Sequence, residues 1–493
     1  MHLVYKIILL FFLTKFCALG QSFFKKINYE LESGIYLSTS GKTPFLIHAN
    51  QYGIVPLETP FIALKGAAVK EYDSTYTSNN KLNRFSYGYG VNTILNVGKA
   101  NQILLPEAYF KIRYGVFEFY VGRRKELVGL VDTTLSSGSY IWSGNALPLP
   151  KIQLSIPNYT PILGNGLISI KGAFSHGLFD NGKVRNFYLH QKYLYARLGK
   201  PNWKIKLYSG FSHQVQWGGQ PVTPFIDNLT GDLISRFPSD FNTYLKVVTG
   251  VSLNKNGEGL NTGSPKNEAW NRAGNHLGSI DLATEFNLRN FDILFYRQSI
   301  YDDGSLFYLN NIQDGLLGIS IKRKNAFKGI IRINFEYLNT MNQGGRPEDR
   351  NDDIPQLRGG DNYFNNSIYP DSWTYRNNTI GTPLLSPINF VDKNVLANRN
   401  LEKYSSSYIL NRVESYSFGI EGKGKNVEYC SKIVLIHNLG SYFLPINDRA
   451  TTFLCKFKYN LLKFSIITNI AVNEGKLFPY TLGGYLAIQR TFF

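Results

Sequence analysis

The stretch of this chain best suited to chemistry reads "RGGDNYFNNSIYPDSWTYRNNTIGTPLL". It carries Tyr363, Tyr369, Trp373, Tyr375 and Arg376, flanked by Asp361, Asn365 and Asn366. Sugar recognition uses aromatic faces that stack on pyranose rings and amide or carboxylate groups that bind hydroxyls. An acidic sugar adds a demand for Arg or Lys. Asp361, Tyr363, Asn365, Tyr369, Trp373, Tyr375 and Arg376 are therefore the candidate glycan contacts. A second reading of equal standing has the same aromatics packing the loop onto itself.

Other chemistries find less support. Glu348-Asp349, Asp352-Asp353 and Asp361 supply oxygen ligands of the kind calcium takes. Their spacing matches no calcium loop, and a solvated loop explains them better. The histidines after the first twenty residues are His48, His176, His190, His213, His276 and His437, and no two share a metal-binding helical spacing. No phosphate-binding loop, HExxH or CxxC pair occurs. Ser212-His213 in "GFSHQVQWGG" offers a nucleophile beside a base. Neighbours on a strand point to opposite faces, so this pair makes no dyad. The expectation is a protein that is not an enzyme, with no cofactor and no resident metal. Cys430 and Cys455 lie in neighbouring strand-like segments; sequence leaves open whether they bridge.

The elements around these residues follow period two. In "PEAYFKIRYGVFEFYVGRRKE", Phe110, Ile112 and Tyr114 alternate with Tyr109, Lys111 and Arg113. After a turn at Gly115, Phe117, Phe119 and Val121 alternate with Glu118 and Tyr120. This is a hairpin with one apolar and one charged face. "NWKIKLYSGF", "NRFSYGYG", "KGIIRINFEYL" and "RNFDILFYRQS" repeat the pattern. A soluble sandwich or propeller would bury the apolar face. An outer-membrane barrel would turn it to lipid and line a wet lumen with the other. Charges at successive inward positions, aromatics at strand ends and short turns alternating with long loops favour the barrel. The segment 342–407 is expected as one long extracellular loop. "FPSDFNTYLKVVTG" interrupts the strands with a short amphipathic helix, Ser239 as its cap, placed at a barrel mouth.

Both ends of the sequence fit this picture. "MHLVYKIILLFFLTKFCALGQ" has a basic start, a short apolar core and small residues before Gln21, so residues 1–20 are expected to be a signal peptide. Residues 21–493 then form one barrel domain. "GGYLAIQRTFF" ends the chain inside a strand-like run on an aromatic. A barrel must pair its last strand with its first, because an open edge in lipid leaves backbone groups unsatisfied. Which face of this strand meets lipid stays open at this point.

Hydrophobic residues make up 43% of the chain and aromatics 15%, with 33 Tyr and 34 Phe. Mean hydropathy is −0.19, like that of a soluble protein, as alternating strands allow. The formal charge is +18, and +16 once Lys6 and Lys15 leave with the signal. Such a charge attracts acidic polysaccharide and the phosphates of lipopolysaccharide. Export argues against a nucleic-acid partner.

Several stretches together resemble the capsule-assembly outer-membrane family of the Wzi type, in its Bacteroidetes-type form. They are "FYLHQKYLYARLGKPNWKIKLYSGFSHQVQWGG", "AGNHLGSIDL", "RQSIYDDGSLF" with "IQDGLLGISI", and "RGGDNYFNNSIYPDSWTYRNNTIGTPL". "KTPFLIHANQYGI" and "GRRKELVGLVDTTLSSGSYIWSGNALPLP" extend the likeness toward the N-terminus. The resemblance implies a monomeric transmembrane barrel of about 18 antiparallel strands with short helices on the periplasmic side. It also implies a lectin-like, non-enzymatic role in binding exported capsular polysaccharide or exopolysaccharide and organising it on the cell surface. The expected partners are acidic surface polysaccharide and outer-membrane lipid with its lipopolysaccharide. Two alternatives remain: a diffusion porin whose basic lumen prefers anions, and an outer-membrane hydrolase using His213.

Overall fold

The computed structural model describes residues 27–73, 84–162, 164–227, 231–251, 272–302, 306, 309–347, 360–397 and 399–492. The expected signal peptide, the acidic pairs at 348–349 and 352–353, and Phe493 lie outside these residues.

Eighteen antiparallel strands form one closed sheet. The first nine are β1 (Asn28–Ser38), β2 (Phe61–Lys70), β3 (Phe85–Gly98), β4 (Gln102–Tyr114), β5 (Phe117–Arg123), β6 (Lys151–Pro161), β7 (Ile168–Leu178), β8 (Tyr188–Leu198) and β9 (Ile205–Trp217). The second nine are β10 (Asn275–Asn287), β11 (Phe291–Tyr301), β12 (Gly315–Arg323), β13 (Gly329–Asn339), β14 (Val413–Lys423), β15 (Val427–Gly440), β16 (Pro445–Asn460), β17 (Ser465–Gly475) and β18 (Thr481–Phe492). Each strand pairs with the next in sequence, and β18 closes on β1 from Tyr29↔Phe492 to Ser38↔Gly483. The terminal aromatic strand is thus part of the wall, and no sheet edge is left unpaired.

Alternation explains why these segments settle as wall. Along β4 and β5, Phe110, Tyr114, Phe117, Phe119 and Val121 are exposed on the outside, while Lys111, Glu118 and Tyr120 are buried toward the lumen. In β18, Leu482, Leu486 and Ile488 face outward and Tyr485, Ala487 and Gln489 face inward. That resolves the lipid face of the last strand. The outward residues form an apolar belt of the kind that meets a bilayer. No described helix is long and apolar enough to cross a membrane.

The longest connections gather at one end. The start of β1, the end of β18, the connection 71–84 and the turns 115–116, 162–167, 199–204, 288–290, 324–328, 424–426 and 461–464 belong to the opposite end. The segments 39–60, 124–150, 218–274, 302–314 and 340–412 lie at the other. Helix α1 (Phe45–His48) and helix α2 (Phe241–Thr249) belong to this second group. Both described helices sit at the long-loop end, which outer-membrane barrels turn outward.

The α2 cap is corrected. Asp240, not Ser239, accepts from the backbone N–H of Asn242 and Thr243, and Gly250 ends the helix in the left-handed region at φ 65°.

The hydrophobic core lies inside the barrel and is built largely from loops. Leu135, Tyr140, Ile141, Tyr363, Phe364 and Trp373 are fully buried in it, beside inward wall residues such as Tyr195 and Leu277. A second, smaller cluster of Val215, Trp217, Val247 and Ala273 sits apart from it.

Candidate functional site

The segment 124–150 enters the lumen and is tied to inward-facing wall residues. Glu336 on β13 accepts from Ser136 Oγ at 2.7 Å, Ser137 Oγ at 2.6 Å and the Ser137 N–H at 2.5 Å. Asp281 on β10 accepts from the Leu130 N–H at 2.9 Å, and Gln298 on β11 from the Tyr140 N–H at 2.8 Å. Lys432 on β15 donates to the Ser136 carbonyl at 2.7 Å. Asp132 on the plug pairs with Arg332 on β13 at 3.2 Å and accepts from Ser320 of β12. Polar strand residues that a wet lumen would hydrate thus hold a loop instead.

Two plug carboxylates are tuned by this. Burial alone would raise the Glu126 carboxyl; Lys151 at 2.6 Å and Arg124 at 2.9 Å outweigh it and hold it below its usual range. Asp132 is likewise held low, burial being outweighed by Ser320, the Leu135 N–H and Arg332.

The segment 340–412 caps the first loop. Ser143 N–H donates to the Ile380 carbonyl, Thr382 N–H to the Tyr140 carbonyl, and Asn145 Nδ2 to the Thr379 carbonyl. The cap reaches the wall through Gln216 Nε2 to the Ser372 carbonyl at 3.0 Å, and α1 through His48 Nε2 to Asn378 at 2.9 Å. Burial pushes the His48 imidazole below its ordinary range.

The candidate glycan contacts lie in this cap. Tyr363, Tyr369, Trp373 and Tyr375 are no more than 2% exposed, and Asp361 and Asn365 are 7% exposed. The Tyr363 hydroxyl donates to Asp314, the Tyr369 hydroxyl to the Gly218 carbonyl, and Asn365 bridges to the Ile409 backbone. Phe179 packs edge-on against Trp373 and Tyr375. The ring faces expected to stack on sugar are occupied by protein, so the self-packing reading describes them better. Their hydroxyls and amides knit a cap that has little other regular structure.

Arg376 is the exception. It sits with Asn377 at the tip of a two-residue hairpin, both at positive φ (50° and 65°), and faces solvent. Its Nε meets Asp180 at 2.5 Å, and Tyr375 donates to the same carboxylate at 2.9 Å. Arg376 and Tyr375 outweigh the effect of burial and hold Asp180 below the usual carboxylate range.

The remaining sequence candidates separate. On β9, Ser212 faces the lumen and His213 the outside, where it meets His276 at 2.9 Å. Cys430 and Cys455 are free: Cys430 pairs across with Lys456 and faces the lumen, whereas Cys455 faces outward beside Ser431. Among the described residues no group of three or more His, Cys, Asp or Glu is placed to hold a metal. A cavity of about 240 Å³ remains inside, lined by the plug and by Cys430, Lys432 and Lys456.

A surface site that sequence reasoning missed opens at the long-loop end. It is a pocket of about 390 Å³ between the segments 39–60, 388–394 and 473–481. Phe390 and Phe478 supply apolar walls; Lys42, Lys393, Asn389 and Asn394 supply polar groups. Asn389, Lys393, Asn394 and Lys42 are exposed, and Phe390 is half-buried against His48. "NFVDKN" has the composition used above to single out residues 361–376, but lacks their density of Tyr and Trp. Only folding brings it beside Lys42 and Phe478.

No curated protein matches the chain. Among solved structures, OccAB4 of Acinetobacter baumannii is similar at TM-score 0.46 and 10% identity, over 94% of this chain and 97% of that one. OccD3 (OpdP) of Pseudomonas aeruginosa is similar at TM-score 0.43 and 9% identity, over 95% and 91%. An anion-selective porin from Comamonas acidovorans is similar at TM-score 0.37 and 9% identity, over 95% and 99%. All three are distant likenesses. The description "capsule assembly protein Wzi" matches residues 57–386, about two thirds of the sequence, which takes in the plug and most of the cap. This outer-membrane β-barrel belongs to the Wzi capsule assembly protein family.

Proposed function

We propose that this barrel binds exported capsular polysaccharide or a related exopolysaccharide on its outward rim and retains it at the cell surface, without conducting it. The observation that carries the reading is the filled lumen. Two loops, 124–150 and 340–412, are bonded to each other and to inward residues of β9, β10, β11, β12, β13 and β15. A diffusion porin needs an open path there, and a hydrolase needs a nucleophile beside its base, which Ser212 and His213 on opposite faces do not offer.

The contact surface is the rim pocket, with Arg376 as a further cation. In the pocket Phe390 and Phe478 offer apolar contact, Lys393 stands beside Asp392, and Lys42, paired with Glu58 at 3.2 Å, is the second cation for an acidic glycan. The excess of 16 positive charges attracts such a polymer over longer range. A repeating glycan meets many barrels at once, so weak individual contacts add up by avidity. The barrel acts as a monomer in this reading, and the family match supports a polysaccharide partner.

The test is binding of fluorescently labelled host polysaccharide to vesicles carrying the full chain. Lys42→Glu with Lys393→Glu should cut binding at least tenfold at low salt, and Phe390→Ala should weaken it at all salt concentrations. Undiminished binding by both variants would remove the pocket from the account.

A further inference from the structure

The segment after β9 does not stay above the barrel. Its helix α2 lies against the outside of β7–β10. Alternation fixes the side: Gln214 and Gln216 bond to the plug and cap within the lumen, so His213, Val215 and Trp217 point outward. On that outward face Val247 of α2 is fully buried with Val215, Trp217 and Ala273, flanked by Tyr188 and Tyr244. The Tyr244 hydroxyl meets His176 Nε2 at 3.2 Å, Lys192 donates to the Val248 carbonyl, and Arg272 Nε donates to the Gly250 carbonyl at 2.9 Å. His176 and Lys192 are likewise outward residues of β7 and β8.

The apolar arc of this helix is wider than its wall contact: Val247, Tyr244, Val248, Phe241 and Leu245 follow one another round one side, with Asn242, Thr243, Lys246 and Thr249 on the other. Phe241 is 73% exposed and Leu245 45%, at the edge of the arc farther from Val247. Such an arc has room for a second apolar partner beside the first. The first is the wall. Directly along the same strands the outward residues Phe174, Leu194 and Ile280 are exposed members of the apolar belt, so the exposed edge of the arc continues a surface that lipid already covers. Tyr188, Trp217 and Tyr301 lie at these strand ends, the level at which barrel aromatics meet the membrane boundary.

We propose that α2 is an interfacial helix of the barrel's outer wall, with Phe241 and Leu245 inserted among the acyl chains of the outer-leaflet lipid. An anchor of this kind fixes the height of the adjoining rim above the membrane. The occupant is a lipid surface, because the patch is continuous with the belt and lies beside interfacial aromatics.

Nitroxide collision accessibility in phosphatidylcholine vesicles tests this on the full chain. Cys430→Ser and Cys455→Ser clear the background, and Phe241→Cys or Leu245→Cys carries the label; Leu207→Cys marks the belt and Asp232→Cys the aqueous loops. Both helix sites should favour oxygen over a water-soluble nickel chelate several-fold more than position 232 does, approaching position 207. Ratios at both helix sites equal to that of position 232 would overturn the proposal. A heat-modifiable gel band confirms that each labelled barrel is folded before it is read.

Discussion

Removing one carboxylate should loosen the plug. Glu336 accepts from four plug and wall donors: Ser136 Oγ, Ser137 N–H, Ser137 Oγ and the Tyr296 hydroxyl at 2.7 Å. Glu336→Ala leaves all four without that acceptor, and a stranded buried donor costs roughly 1–3 kcal/mol. The 240 Å³ cavity is lined by Ser136 and Ser137, so water can reach the serine groups and lower their share toward the bottom of that range. Tyr296 is deeper. Tyr296 is itself a wall residue, so only the three serine donors bear on plug release: their loss is about 3 kcal/mol, which at about 1.4 kcal/mol per decade raises the population of the released loop roughly a hundredfold. Glu336→Gln keeps one acceptor oxygen and should lose about half as much. The assay is current through single barrels in planar bilayers, with denaturant unfolding run beside it. The native chain should be silent, and Glu336→Ala should open in brief bursts at a lower unfolding midpoint. A native chain that conducts steadily would refute the closed lumen. A silent Glu336→Ala barrel with an unchanged midpoint would refute this anchor.

Other perturbations separate structural from contact roles. Trp373→Ala should cost about 3–5 kcal/mol of stability, because it empties a fully buried site, and should leave the polysaccharide affinity of the folded fraction unchanged; melting and binding read on the same sample check both halves. Arg376→Ala should move stability by less than about 1 kcal/mol, since its ion pair with Asp180 is exposed, yet weaken binding of an acidic polymer. Acid should release the plug late. Glu126, Asp132 and Asp180 are all held below their ordinary values, so their stabilisation is complete above about pH 4.5 and is lost as pH falls through the lowered values; bilayer current scanned downward in pH should stay at baseline until the pH lies below the ordinary carboxylate range. Cys430 and Cys455 face opposite sides of the wall, so intact mass after alkylation without reductant should show two modified thiols.

The wall was legible in sequence because a lipid-facing strand repeats its signal every second residue. Phe110, Phe117 and Phe119 declare the outside of one hairpin, and Lys111 and Glu118 the inside. What those inward charges do was not legible. Glu336 reads as a lumen residue, but nothing near it in sequence says that Ser136 and Ser137 will meet it from two hundred positions away. The aromatic cluster at residues 363–375 misleads for a related reason: in an irregular segment, Tyr and Trp serve equally as core and as sugar platform, and only burial separates the two. For α2 the period of 3.6 found the helix, but not that Val247 would be buried on the wall while Phe241 and Leu245 stay exposed. The rim pocket joins three loops distant in sequence, and no local pattern announces it.

Cell-surface retention of polysaccharide is the central claim, and partition measures it most directly. The gene is deleted in its host, and polysaccharide is quantified on washed cells and in the medium. The account predicts unchanged total synthesis, with the polymer moved from cells to medium and returned to cells by the native gene but not by the Lys42→Glu, Lys393→Glu, Phe390→Ala variant. An unchanged partition in the deletion strain, above all with reduced uptake of small anionic solutes, would contradict it.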